Sequence, residues 1–253
     1  MRLEEDWEFN VLGVTNYRKP GKLSNYFRYI QEHHDHIEGD LCEAGVFKGR
    51  SFLATGLLLK EIGSSKQVYG FDSFQGFPPV QHEKDDLAKF DDLLREGKIS
   101  SDHYAKVKRN LQFRSLSVKK PLSSENISLS SDFSAANIEE LKQKIRFLDL
   151  DNVHIVPGPF SETMAESRAL PSKIMAALLD CDLYMSYKVA LPFVWSRLAV
   201  GGYIWLDEYY SLKFPGARIA TDEFFSDKVD KPRRHQREPG DFERWYVERV
   251  FSR

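Results

Sequence analysis

The feature that most constrains the fold is a pair of short apolar runs separated by one helical segment. The first run is Asp40-Leu41-Cys42-Glu43-Ala44-Gly45-Val46, the helical segment covers residues 51–62, and the second run covers residues 67–71 and ends at Asp72. Two strands joined by a helix over so short a length form a crossover connection, which places them in parallel. The pattern therefore predicts a βαβ unit and a parallel sheet.

The same alternation resumes after a polar stretch. Helical periodicity covers residues 134–147, strands are predicted at 153–156, 173–179, 202–206 and 245–251, and a further helix at 184–198. Residues 81–126 show no clear strand and are interpreted as an insertion, which is either a lid or binding loop or a set of surface helices. Residues 1–37 are interpreted as an N-terminal helical segment that contacts substrate or a second subunit. The sequence thus predicts an α/β fold: a Rossmann-like, doubly wound, mainly parallel sheet over residues 38–253, with an antiparallel C-terminal edge strand.

Composition narrows the possible functions. The chain is 42% hydrophobic and carries a net charge of −2, so it is globular without a general attraction for polyanions, and we expect no nucleic-acid partner. It contains no apolar run of about 18 residues, so we expect no membrane span. The acidic N-terminus has the wrong sign for an export signal, which favours the cytoplasm. Cys42 and Cys181 lie in apolar runs and are expected to be buried, reduced thiols.

Ligands of an open parallel sheet bind beyond the carboxyl ends of its strands. After the first strand, the segment from Glu43 to Ser51 combines a glycine turn, unpaired helix amides and an acid that suits a cationic ligand, although a glycine turn can also be purely structural. It lacks the G-x-G-x-x-G spacing of dinucleotide sites, which argues against a nicotinamide cofactor. After the second strand, Asp72 has the position of a ribose ligand or of a turn cap.

Two further strands end in acids. Asp180-Cys181-Asp182 follows the fourth predicted strand and Asp207-Glu208 the fifth, and neighbouring strands bring such ends together. Because converging carboxylates repel one another, a shared cation of the Mg²⁺, Mn²⁺ or Ca²⁺ type resolves the arrangement. The alternative is that the acids separately face solvent or cap helices, and Asp182 is the expected cap of the helix that begins near Tyr184. Asp180 is therefore the favoured metal ligand.

Four motifs occur in the order found in a known family. They are Glu43-Ala44-Gly45-Val46-Phe47-Lys48-Gly49, Phe71-Asp72-Ser73-Phe74-Gln75-Gly76-Phe77-Pro78, Gly158-Pro159-Phe160-Ser161-Glu162-Thr163-Met164, and the two acidic strand ends. With them, roughly residues 38–250 resemble the macrocin O-methyltransferase family. The resemblance implies a class I methyltransferase fold, S-adenosylmethionine as donor, and dependence on Mg²⁺ or Mn²⁺. It implies as acceptor a sugar hydroxyl of a small-molecule glycoside, nucleotide sugar or polysaccharide precursor.

Carried over by position, the resemblance implies a role for each of these residues. The donor would contact Glu43, Ala44, Gly45, Ser51, Asp72, Ser73, Phe74 and Asp180. The metal ligands would be Asp180, Asp207 and Glu208, and Asp180 would also be the catalytic base. The chain departs from the family pattern at Cys181, where the family has glycine, and at Glu208, where it has aspartate. The longer arm of Glu208 should still reach a flexible shell of oxygen ligands.

Several alternatives remain open at the level of sequence. Tyr26, Phe27, Tyr29, His82 and His103 either line an acceptor pocket or pack in the core, where most aromatic area is buried. His154 and His235 are alternative bases. A phenolic or catechol hydroxyl is a second class of acceptor, and a chain that binds the donor without turnover would serve as a partner protein. Assembly into a homo-oligomer is also compatible with the sequence.

Overall fold

One mixed sheet organises the chain, which the computed structural model describes over residues 2–165, 170–236 and 242–251. The strands are β1 (Asp40–Ala44), β2 (Val68–Asp72), β3 (Val153–Pro157), β4 (Ile174–Leu179), β5 (Leu198–Leu206), β6 (Arg233–Arg234) and β7 (Trp245–Glu248). Their spatial order is β3-β2-β1-β4-β5-β7-β6. The first five strands are parallel, whereas β7 runs antiparallel to β5 and β6 antiparallel to β7. The predicted fold is confirmed, and β6 extends the antiparallel edge by two unpredicted residues.

The helices cover both faces of the sheet. Within the described ranges they are α1 (Asp6–Leu12), α2 (Ser24–His33), α3 (Arg50–Glu61), α4 (Lys89–Arg95), α5 (Ser101–Ser115), α6 (Ile138–Phe147), α7 (Phe160–Thr163), α8 (Tyr184–Arg197) and α9 (Pro215–Phe224). Helix α6 ends at Phe147 as predicted, with basic residues in its last turn, but it begins at Ile138 and not at residue 134, because the Asn137 side chain accepts hydrogen bonds from the first-turn amides.

Two hydrophobic cores lie on opposite faces of the sheet because side chains alternate along each strand. Leu41 of β1 and Trp205 of β5 face one core, and their sequence neighbours Cys42 and Leu206 face the other. Helices α1, α2 and α3 contribute to the first core, and α8 and α9 to the second. Cys42 and Cys181 are free and buried, as predicted. Among the described helices, none combines the length and the apolar character that crossing a bilayer requires.

The N-terminal segment forms two helices that pack against the sheet. Phe9, Tyr26 and Ile30 are fully buried in the first core, and Phe27 joins them. Tyr29 stacks on Tyr203 of β5 with 4.5 Å between ring centroids. The aromatic residues of α2 are therefore core residues.

The insertion at residues 81–126 contains helices, which is one of the two forms that the sequence left open. A short 3-10 helix (Glu83–Asp85) precedes α4 and α5. Their few apolar residues, Phe90, Leu93, Ile99 and Val107, form a small separate core that packs against α9. The apolar faces of α4 and α5 are narrow and lie among many charged residues, so the sequence shows no clear helical periodicity there.

Candidate active site

The register of the parallel strands aligns the predicted site residues along one edge of the sheet. Ala44 pairs with both Phe71 and Leu179, and Leu179 pairs with Leu206. Each of these residues is the last or next to last of its strand, so the residues that follow them are neighbours. The structure thereby brings together Gly45, Asp72, Asp180 and Asp207, which lie in four different parts of the sequence.

Gly45 lies where the loop after β1 crosses the end of β4. Its φ angle is +92°, and a Cβ atom there would lie 2.0 Å from the carbonyl oxygen of Asp180. Only glycine fits this contact. The Asp180 N–H donates to the carbonyl oxygen of Ala44 at 3.0 Å, and the Ala44 side chain is buried in the core. Ala44 therefore meets the edge through its backbone alone.

Glu43 is a fully buried carboxyl at the end of β1. The Ser51 hydroxyl donates to its Oε1 at 2.6 Å, whereas Oε2 is buried without a hydrogen-bond partner in the described structure. Burial raises the pKa of Glu43 well above its usual value, against the smaller effect of the Ser51 hydrogen bond. An orphaned acceptor of this kind fits the ammonium group of a ligand, which suits the methionine part of S-adenosylmethionine.

Asp72 holds two loops in place. Its Oδ2 accepts the Phe47 N–H at 2.7 Å, and its Oδ1 accepts the Phe74 N–H at 2.7 Å. Each carboxylate oxygen has a second acceptor position, so both remain able to accept a ribose hydroxyl. The Ser73 hydroxyl accepts from Gln75 N–H and donates to the carbonyl oxygen of Gly76, and it stabilises the turn in which Phe74 has a φ of +55°.

The acids after β4 and β5 form one cluster, which we call the acid cluster: Asp180, Asp207 and Glu208. One oxygen from each lies within 4.8 Å of the others. The Asp207 side chain is 2% exposed and the Asp180 side chain 33% exposed, so the cluster opens to solvent through Asp180. Asp207 is held in place by the Trp205 indole, whose Nε1–H donates to Oδ1 at 3.0 Å.

Two lysines from outside the sheet face the acid cluster. The Lys22 Nζ lies 2.6 Å from Asp207 Oδ2 and 3.6 Å from Asp180 Oδ2. The Lys213 Nζ lies 3.8 Å from Glu208 Oε1. Burial opposes the charge of Lys22, but the two aspartates outweigh it and raise its pKa. The cluster therefore attracts the ammonium group of Lys22 although this side chain is about half exposed to solvent.

The acids of the cluster differ in their affinity for protons. Burial and the charge of Asp207 raise the pKa of Asp180 to about 7. Burial acts in the same direction on Asp207, but the contact with Lys22 outweighs it and lowers the pKa of Asp207. Asp180 therefore takes up a proton nearer to neutral pH than Asp207 does, which suits a base.

The residues of the cluster fit a divalent metal. Its donor set consists of carboxylate oxygens, which Mg²⁺ and Mn²⁺ prefer, and Lys22 is a cation that the chain itself places against two of the three acids. Glu208 reaches the cluster in spite of its longer side chain. Asp180, Asp207 and Glu208 could therefore hold the ion together.

The predicted cap of α8 is wrong. Asp182 has a φ of +59° and does not bond the helix, and the Tyr184 N–H instead donates to Oδ1 of Asp85 at 2.8 Å. Asp85 comes from the helical insertion, so its partner could not be read from local sequence. Asp182 is buried beside the acid cluster without belonging to it, which agrees with the choice of Asp180.

The histidines lie in different places. His154 is the second residue of β3, far from its carboxyl end, and contacts the Gln67 amide at 2.8 Å. His82 caps a short helix and stacks on Tyr184, and buried His103 contacts the carbonyl oxygen of Ser211. His235 contacts the Tyr203 hydroxyl at 2.8 Å and lines a pocket. Burial lowers its pKa to about 4, so it is a weak base.

A pocket of about 940 Å³ adjoins the acid cluster through Lys22. Its lining consists of Pro20, Gly21, Lys22, Ser24, Asn25, Arg234, His235, Gln236, Phe242 and Arg244. The N-terminal segment and the β6–β7 hairpin supply it. Among these residues, only His235 was predicted from the sequence as a candidate site residue. No local pattern relates the N-terminal segment to the hairpin, and the basic pair Arg233-Arg234 was the one signal of a charged surface.

The fold and the residues at the carboxyl ends of the parallel strands together define a class I methyltransferase. Donor-type loops follow β1 and β2, acids follow β4 and β5, and the antiparallel strand β7 pairs with β5. The sequence profile of the Macrocin-O-methyltransferase (TylF) family matches residues 5–119 and 123–235, so the chain belongs to that family. The resemblance inferred from the four motifs is confirmed.

Curated relatives and a solved structure agree with this assignment. Demethyldecarbamoylnovobiocin O-methyltransferase of Streptomyces niveus is 28% identical over 87% of this chain and 70% of the relative. Mycinamicin III 3''-O-methyltransferase of Micromonospora griseorubida is 28% identical over 75% of this chain, and the matched part is only 61% of the relative's length. The structure of the O-methyltransferase NovP has a TM-score of 0.61 at 22% identity, covering 89% of this chain and 80% of NovP, and it shows the shared fold.

Proposed function

We propose that the protein transfers a methyl group from S-adenosylmethionine to a sugar hydroxyl of a small molecule, with Mg²⁺ or Mn²⁺ held by Asp180, Asp207 and Glu208. The observation that carries the proposal is the position of the acid cluster between the donor-type loops and the pocket. A sugar acceptor is supported by a relative from Streptomyces olivaceus whose name gives a rhamnosyl-bearing tetracenomycin as its acceptor. Phenols and catechols are the acceptors to compare with it.

The cofactor half of the sheet edge, which consists of the loops after β1 and β2, binds and orients the donor. Glu43 Oε2 accepts from the donor's ammonium group, and the oxygens of Asp72 accept from its ribose hydroxyls. Gly45 allows the methionine part to approach the backbone, with Ser51, Ser73 and Phe74 shaping the loops around it. Asp180 lies next to Gly45, so it also borders the donor.

The acid half of the sheet edge, which consists of the loops after β4 and β5, positions and activates the acceptor hydroxyl. A divalent ion there would lower the pKa of the attacking hydroxyl and fix its direction. Asp180 borders both the donor loops and the acid cluster, so it is the carboxylate placed to take the proton. The N-terminal residues from Pro20 to Asn25 and the hairpin residues Arg234 and Arg244 hold the rest of the acceptor and exclude water.

Transfer of labelled methyl from S-adenosylmethionine into a panel of nucleotide sugars, neutral glycosides and catechols tests the proposal. We expect a labelled sugar product, loss of activity in EDTA, and recovery with Mg²⁺. Methylation of catechols alone would show that the acceptor is a phenolic hydroxyl and not a sugar hydroxyl. Tight binding of S-adenosylhomocysteine without turnover on any acceptor would make the protein a donor-binding partner and refute the proposal.

A further inference from the structure

The pocket beside the acid cluster is cationic. Three of its ten lining residues, Lys22, Arg234 and Arg244, carry positive charge, and none of the described lining residues is acidic. The whole chain has a net charge of −2, so this local excess is not a consequence of composition. A surface with this charge suits an anionic ligand.

The cations of the pocket differ in whether the protein itself satisfies them. Lys22 lies 2.6 Å from Asp207, and Arg234 lies 3.1 Å from Glu243. Arg244 is half-buried, lies over the Phe242 ring at 4.8 Å, and has no ion pair within residues 2–165, 170–236 and 242–251. It is therefore the guanidinium in the lining whose charge is uncompensated.

A second arginine places a further positive charge beside the pocket. Arg28 of α2 donates to the amide oxygen of Asn25, which lines the pocket, and it is exposed with no ion pair in the described structure. Its field reaches His235, another lining residue. Arg28 and Arg244 thus approach the pocket from the N-terminal segment and from the β6–β7 hairpin.

We propose that the acceptor carries a phosphoryl group and that Arg244, assisted by Arg28, binds it while the sugar hydroxyl lies at the acid cluster. This inference rests on the proposed function and narrows its substrate class to phosphorylated sugars, including nucleotide sugars. A guanidinium presents paired N–H donors that match phosphate oxygens, whereas a neutral glycoside would leave Arg244 without a partner. The pocket volume of about 940 Å³ accommodates a ligand larger than a monosaccharide.

Binding measurements test this without requiring turnover. The full chain, saturated with S-adenosylhomocysteine, is titrated calorimetrically with UDP, glucose 1-phosphate, glucuronate and methyl glucoside, both in EDTA and with Mg²⁺. We expect binding of the two phosphorylated probes and binding of glucuronate and methyl glucoside at least about tenfold weaker. Equal affinity for methyl glucoside would overturn the proposal, and preference for glucuronate would replace the phosphoryl group by a carboxylate.

A matched pair of variants locates the binding group. Arg244→Gln and Arg233→Gln each remove one positive charge from the same hairpin, but Arg233 does not line the pocket. We expect Arg244→Gln to weaken UDP binding about 10–100-fold and Arg233→Gln to change it less than about twofold. Equal effects would show general attraction and refute the site.

Two further measurements keep the outcome decisive. If Arg244→Gln lowers the melting temperature, Arg28→Gln on the exposed face of α2 replaces it, with an expected loss of about threefold to tenfold. Failure of the proposed function appears as absence of methyl transfer while UDP still binds through Arg244. Failure of the present inference appears as methyl transfer to neutral glycosides at a KM that Arg244→Gln leaves unchanged.

Discussion

The two halves of the sheet edge handle their carboxylates in opposite ways. In the cofactor half, after β1 and β2, Asp72 accepts two backbone N–H groups and Glu43 accepts the Ser51 hydroxyl. In the acid half, after β4 and β5, the carboxylates face one another and contact two lysines, Lys22 from the N-terminal segment and Lys213 from the chain that follows β5. The first arrangement shapes loops around a neutral or singly charged ligand, and the second demands a cation.

The largest effect expected from this contrast is that of Asp180→Asn. The variant loses a metal ligand and the base at once, so kcat should fall at least about 100-fold and Mg²⁺ affinity should fall with it. Affinity for S-adenosylhomocysteine should fall less than about tenfold, because Asp180 only borders the donor and the contacts of Glu43 and Asp72 are intact. Steady-state kinetics and calorimetry measure both. Asp182→Asn is the control, and a near-normal rate for Asp180→Asn would contradict the assignment.

Asp72→Ala should produce the converse pattern. Two backbone N–H groups lose their acceptor and the ribose loses its ligand, so affinity for S-adenosylhomocysteine should fall about 10–100-fold. Mg²⁺ affinity, measured separately, should change little. A comparable loss of Mg²⁺ affinity would mean that the two halves are not separable.

Lys22→Met tests the acid half from the other side. Its ammonium group lies against Asp207 and Asp180, so a divalent ion must displace or repel it. We expect removal of this charge to raise Mg²⁺ affinity about tenfold at low salt. Lys19→Met removes an equal charge that pairs with Asp6, and it should have no such effect. Unchanged or weaker Mg²⁺ binding by Lys22→Met would show that the lysine does not compete.

The smallest expected effect concerns His235, which belongs to neither half. Burial lowers its pKa to about 4, whereas the unfolded chain takes up this proton near the ordinary value of 6.5. Stability is therefore fully present above about pH 6.5 and is lost as the pH falls toward 4. In His235→Gln this loss should shrink by about 1 kcal/mol, after allowance for partial exposure. Urea unfolding at pH 7 and pH 4.5 measures it, and identical pH dependence would disprove the assignment.

Sequence predicted the edge well because the register of a parallel sheet converts positions after strands into neighbours. Asp72, Asp180 and Asp207 were found in this way, and four motifs added the family. Contacts between segments that are distant in sequence were not predictable: Lys22 against Asp207, Asp85 at the start of α8, and Arg244 in the pocket. The bounds of helices α4 and α5 were not predicted because their buried faces are narrow, and α9 was missed although it packs in the second core.

The absence of a side chain at Gly45 has a consequence for how such an enzyme can diversify. The loop after β1 passes the Asp180 carbonyl oxygen so closely that any larger residue at position 45 would force this loop away from the end of β4. Position 45 therefore cannot vary. The pocket lining can vary instead, because Asn25 and Arg244 present half-buried side chains to it and belong to neither hydrophobic core.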